Sequence, residues 1–331
     1  MQVYKSPTYS TPCGMTVTNA GGKSESYYVN FTPFTFTNMG ATGPYGPTSI
    51  TYSPLRQGNL ALAGGIQYWT VPFTRTYTFI VAGAGTANPN SLNSIKTGNG
   101  VVLTASRSLT AGTVLAIVVG QMGLVGTIDN RGTGGSGGSY VATVTAPGSL
   151  TGATLLFAAG GCGGVGYEAD TAANGNINGT ASTTGQRSGP TTVGAPYSGA
   201  GGAGPNGGGC AGISPNNFQG ADAGGGYALN YPGDGEVCLY LDTAGGGLSF
   251  LSGARGGINS SLGAFGGFGG GGGSGGANGY PAGGGGGGYG GGGGGGTDGN
   301  GAGGGGGGSY DITGAYSATV TNASMGYVTV S

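Results

Sequence analysis

Residues 281–310 read PAGGGGGGYGGGGGGGTDGNGAGGGGGGSY. Glycine runs fill 283–288, 290–296 and 303–308, and another lies at 269–273. They are interrupted by Ser274, Tyr280-Pro281, Tyr289 and Thr297-Asp298-Gly299-Asn300. Such a stretch has almost no side chains with which to build a core. It is either disordered or held together by its backbone. Ordering a residue costs about 1–2 kcal/mol, and a hydrogen bond returns only about 0.5–1.5 kcal/mol net. An ordered glycine tract must therefore be almost completely hydrogen-bonded and mounted on a solid platform.

Several backbone forms are ruled out. Glycine costs a helix interior about 1 kcal/mol per residue relative to alanine, and in a sheet it has nothing to pack. Collagen needs a strict triplet period and much proline, whereas this chain has runs of up to seven glycines and 15 prolines. The ordered form that remains is a bundle of polyproline-II-type glycine strands, that is, polyglycine II. Each strand has three residues per turn and no internal hydrogen bonds, so every N–H and C=O points to a neighbour. Phe265, Phe268, Tyr289 and Tyr310 are candidate anchors at its edge.

Glycine supplies 88 of the 331 residues, yet only 6% are charged and the net charge is −1. Disordered chains usually carry a large net charge, so composition leaves order open. The charge balance gives no attraction for nucleic acid. No apolar run reaches the ~20 residues of a membrane span. Met1-Gln2-Val3-Tyr4-Lys5 lacks the apolar segment of a secretory leader, and the expectation is a chain without one.

Residues 1–30 read as a polar Ser/Thr/Tyr-rich arm. Strand signals follow in 31–158: Phe34-Thr35-Phe36, Tyr68-Trp69-Thr70-Val71, Tyr77-Thr78-Phe79-Ile80-Val81, Val101-Val102-Leu103, then 113–119, 140–145 and 155–158. These β-branched and aromatic runs, separated by Gly, Pro, Asn and Ser, predict an all-β sandwich or barrel. Residues 159–308 form the glycine-rich region. Alternation returns in 309–331 as one or two strands that rejoin the sandwich, making the glycine region an insertion.

The chain resembles the glycine-rich extracellular domain of the anaplastic lymphoma kinase and leukocyte tyrosine kinase receptors, and related viral and microbial glycine-rich proteins. The matching residues are Phe34-Thr35-Phe36-Thr37-Asn38-Met39-Gly40-Ala41-Thr42-Gly43, Gly46-Pro47, Gly65-Ile66-Gln67-Tyr68-Trp69-Thr70-Val71-Pro72 with Tyr77, and Ile117-Val118-Val119-Gly120-Gln121-Met122-Gly123. Gly137-Gly138-Ser139-Tyr140-Val141 and Leu155-Leu156-Phe157-Ala158-Ala159-Gly160-Gly161 continue the match, up to Ser309-Tyr310. The resemblance implies a tumour-necrosis-factor-like, jelly-roll β-sandwich carrying a polyglycine-II bundle. Cys162 departs from it, standing where the family usually has glycine. In the receptors this domain binds a protein ligand, a role that does not transfer to a chain without a kinase sequence. A looser, architectural similarity is to phage tail-tip adhesins, whose specificity lies in loops at the bundle ends.

Catalytic and metal chemistry finds little support in the residues. The absence of histidine excludes Ser-His-Asp and Cys-His catalysis within the chain. Cys13, Cys162, Cys210 and Cys238 contain no C-x-x-C pair; they read as free thiols or one or two disulfides of undetermined pairing. Gly293–Asp298 lacks the tandem copy and the apolar residue of a calcium-binding nonapeptide. Arg255-Gly256-Gly257 is a lone arginine–glycine step, too sparse for RNA binding. No cofactor or metal is expected. Tyr280, Pro281, Asp298 and Asn300 lie where glycine strands must reverse and are candidate recognition tips.

The expectation is a non-enzymatic structural or attachment protein on a virus particle surface. Its partners would be further copies or other particle proteins, and a host glycan or protein receptor. A secreted or cell-surface filament subunit and a ligand-binding ectodomain module are the alternatives.

Overall fold

The computed structural model describes residues 3–4, 13–18, 24–29, 33–52, 60–86, 97–127, 132–166, 177–189, 200–208, 220–229, 245–258, 264–275, 281–296 and 301–331. It is nearly all β. Two antiparallel sheets form the platform. The first contains β4 (Phe34–Phe36), β7 (Arg75–Ala82), β8 (Gly100–Leu109), β13 (Ser317–Asn322) and β14 (Tyr327–Val330), in the order β13-β8-β7-β14-β4. The second contains β5 (Leu60–Ala63), β6 (Ile66–Thr70), β9 (Val114–Val118), β10 (Ser139–Val144), β11 (Thr154–Ala159) and β12 (Tyr310–Asp311), in the order β12-β11-β10-β9-β6-β5. The last strand, β14, sits between β7 and β4, so the first sheet closes only when the C-terminus arrives.

Alternation in β7 sets the first sheet. Tyr77, Phe79 and Val81 point inward and are fully buried, while Thr76 and Thr78 face out and meet the hydroxyls of Ser108 and Ser106 across the ladder at 2.8 and 3.1 Å. The inward residues share one core with Phe36, Trp69, Leu103, Leu115, Ile117, Phe157 and Val328. The second sheet is covered on both faces. In β9, Leu115 and Ile117 join that core, whereas Ala116 and Val118 belong to a second cluster with Tyr68, Tyr140, Phe250 and Phe268. The register shifts in β11 opposite Val141 and Ala142. Leu156 is the extra residue there, which explains why adjacent Leu156 and Phe157 both enter the first core.

What packs on the outer face of the second sheet is Phe250, Ala254 and Phe268, with Tyr227, Tyr289 and Tyr310, carried by glycine-rich backbone. Strands run directly into it: β7 into 83–86, β9 into 119–126, β11 into 160–166, while 132–138 leads into β10 and 301–309 into β12. Residues 283–289 lie at its centre, and their amides address three neighbours in strict rotation. Gly283, Gly286 and Tyr289 donate to Ala302, Gly305 and Gly308. Gly284 and Gly287 donate to Thr133 and Ser136, and Gly285 and Gly288 to Asp222 and Gly225. Each successive donor in a set is three residues further on, and so is its acceptor. The carbonyls return the pattern: Gly283 and Gly286 accept from Gly295 and Gly292, Gly284 and Gly287 from Gly164 and Gly161, and Gly285 from Gly272. The central segment thus bonds to six others. A Cβ at Gly284, Gly285 or Gly287 would overlap a neighbouring carbonyl oxygen.

Two observations bear on the expected division of the chain. The glycine network does not begin at residue 159. Residues 119–126 and 132–138, expected within the sandwich range, are part of it, because β9 and β10 extend past the sheet edge as Gly-rich backbone. Within 1–30, expected as an arm, β1 (Val3–Tyr4), β2 (Cys13–Thr18) and β3 (Ser24–Val29) form an antiparallel sheet ordered β1-β3-β2. No helix among the described residues is long and apolar enough to cross a membrane.

Candidate functional site

Of the expected tips, Tyr280, Asp298 and Asn300 lie outside the described residues. Pro281 is described and is buried, so it is not an exposed tip. It packs at Gly132, where an added Cβ would come within 2.6 Å of the proline Cβ. The next residue, Ala282, exchanges backbone hydrogen bonds with Gly275 at 2.8 and 3.3 Å. Proline here leads a strand into the network, which its fixed φ and missing N–H allow at a position without a donor requirement.

Aromatic side chains fasten the glycine layer to the sheet. Tyr310 stacks on Tyr289 with centroids 4.3 Å apart, and the series continues through Tyr227 and Phe250 to Tyr140. The Tyr140 hydroxyl donates to the Gly288 carbonyl at 2.9 Å, and burial raises its pKa far above the ordinary phenol value. Phe268, Tyr289 and Tyr310 therefore hold the junction, as expected; Phe265 is outside this cluster. Cys162 is a buried free thiol whose Sγ lies 2.7 Å from the Thr86 hydroxyl. Burial pushes its pKa up to about 11.

Among the described residues a concavity lies elsewhere, where the β5–β6 hairpin meets the glycine layer. It encloses about 480 Å³, within the usual range for a small-ligand site. Ala63-Gly64-Gly65-Ile66 makes a two-residue hairpin turn with positive φ at both glycines, 58° and 80°. This brings Gly65 against Gly46 so closely that a Cβ at either would lie 2.6 Å from the other's Cα. The two backbones form the floor, with the buried Phe268 ring beneath. Pro44, Tyr45 and Pro47 form one wall, and the Tyr45 side of it is open, 59% exposed.

Arg255 also lines the cleft. A single 3-10 turn, Phe250–Ser252, is capped by the Ser249 hydroxyl and stopped by Gly253. Gly253 and Ala254 both have positive φ, 98° and 55°. That conformation is uncommon for alanine, and it turns Arg255 back toward the cleft. Backbone bonds then lock the position: Leu248 N–H donates to Arg255 C=O at 2.8 Å, Gly256 N–H to Pro44 C=O at 2.8 Å, and Phe268 N–H to Gly43 C=O at 2.7 Å. The Arg255 Nε is buried without a hydrogen-bond partner. One ion pair among the described residues, Arg107–Asp311, joins β8 to β12 and does not line this cleft.

No protein-family model matches this chain. Arg255 and Tyr45 were visible in the sequence only as a lone cation beside glycines and a tyrosine between prolines; nothing in their spacing, 210 residues apart, joined them. Among the described residues no three metal-ligating side chains gather. Its described lining offers one cation, the Tyr45 and Phe268 rings, the Thr48 hydroxyl and backbone groups. That set can bind and orient a ligand, and it has no nucleophile–base pair.

Proposed function

We propose that the chain is a non-enzymatic structural and attachment protein of a virus particle surface. In this reading a jelly-roll sandwich of the tumour-necrosis-factor type carries a polyglycine-II bundle, and copies associate with each other or with other particle proteins. The rotation of hydrogen bonds about 283–289 with a period of three supports the bundle, since three residues per turn is the repeat of that helix. A body held this way has a fixed shape, which suits presentation of a recognition surface outside a cell. The pre-built cleft at the sandwich–bundle seam supports attachment as the task.

Immunogold labelling and mass spectrometry of purified particles from the encoding organism test the reading. The chain is expected on the particle surface in stoichiometric amounts. Its absence from washed particles would overturn the assignment.

A further inference from the structure

We propose that the cleft between Tyr45 and Arg255 binds a carboxylate-bearing sugar ring. The inference rests on the attachment reading and names the ligand class it would use.

Charge is the first argument. Arg255 lines a cleft whose other walls are Tyr45, Pro47, Phe268 and glycine backbone, with no carboxylate among the lining residues. Its Nε is buried without a hydrogen-bond partner, so contact with a ligand in the cleft falls to the two terminal nitrogens. A partly buried guanidinium beside apolar walls favours an anion, and its planar fork matches a carboxylate with two parallel N–H···O bonds. A single cation fits one carboxylate. It is too little for a nucleic-acid backbone, whose binding grows with the number of phosphates neutralised.

Shape is the second. About 480 Å³, open on the Tyr45 side, accommodates one or two sugar rings with the rest of a chain leaving toward solvent. Tyr45 presents a large exposed ring, held in place by the buried Pro44 and Pro47 beside it; the C–H face of a pyranose packs on that ring while its hydroxyls reach the exposed Thr48 and backbone groups. The cleft is also rigid, being closed by the Gly256–Pro44 and Phe268–Gly43 bonds, so little ordering is required on binding.

Saturation-transfer NMR on the full chain tests this with matched probes: methyl glucuronoside against methyl glucoside, and methyl sialoside against its carboxyl methyl ester. Each acid is expected to bind with a Kd of about 1 mM, the range of a single-ring contact, and its uncharged partner at least about tenfold more weakly. Arg255→Gln should abolish the difference between acid and neutral probe. Tyr45→Ala, an exposed position, should weaken both members of a pair. Unchanged thermal melting will show that each variant is folded; should Arg255→Gln unfold, Tyr45→Ala and the acid–neutral comparison on the wild-type chain still decide. Whichever acid binds more tightly identifies the source. Equal binding of acid and neutral probes, retention of acid binding by Arg255→Gln, or displacement by an acidic peptide with no sugar signal would overturn the proposal. Failure here leaves the particle assignment standing, and absence from particles leaves the cleft chemistry standing.

Discussion

At the residue scale, glycine acts here by what it lacks. A Cβ on Gly285 would overlap the Gly292 carbonyl, and the segment is bonded on all sides. Gly285→Ala must push two strands apart, and its cost should exceed the roughly 1–3 kcal/mol of ordinary overpacking. Chemical denaturation measures it. An alanine variant as stable as the parent would show that the packing is looser than described. Cys162 makes a second prediction. Its thiol is held neutral, with its pKa raised from 9.0 to about 11 by burial. A raised pKa means that stability is intact below pH 9 and declines as the unfolded chain ionises first. Between pH 9 and 11 this thiol should cost about 1.4 kcal/mol per pH unit, and Tyr140 adds to the loss at higher pH. The thiol should also resist alkylation of the native protein at pH 8. Rapid labelling there would contradict its burial.

At the element scale, the sheets are tied by a charge pair. Arg107 of β8 reaches Asp311 of β12, whose side chain is fully buried, and its guanidinium lies 4.9 Å from the centroid of the Phe157 ring. Thr313 donates to the same Asp311 oxygen from its N–H and hydroxyl at 2.7 and 3.0 Å. Arg107→Met leaves that carboxylate buried without its cation and should lose about 3–5 kcal/mol. Adding Asp311→Asn should recover part of this. A double-mutant cycle showing no coupling would mean that the pair contributes nothing. Most strands of the sandwich were legible because inward β-branched and aromatic residues alternate with polar ones, as in β7. β5 was not, since Leu60–Ala63 alternates only leucine with alanine. The outer half of β8 was also missed, because Thr104, Ser106 and Ser108 face solvent and hide the run.

At the scale of the whole molecule, platform and glycine layer are one body, since β7, β9, β10, β11 and β12 continue as glycine backbone. Amide exchange tests this. The amides of 284–288 have bonded, buried partners, and they should exchange only with global unfolding, like those of the sandwich core. Exchange within minutes would indicate a layer that opens independently. Sequence by itself determined that the chain is all-β and that its glycine tract, if ordered, must be satisfied by backbone hydrogen bonds, because composition removes every side-chain alternative. It also marked Phe265, Phe268, Tyr289 and Tyr310 as anchors, being the large apolar groups within reach, and all but Phe265 pack in the second cluster. Which segment bonds to which was decided only in three dimensions: glycine carries no pattern, so 283–289 could not announce Thr133, Asp222 or Ala302 as partners. The cleft follows the same logic. Tyr45 and Arg255 meet because Gly46 and Gly65 approach backbone to backbone, a contact between atoms that every residue has and that no sequence spacing records.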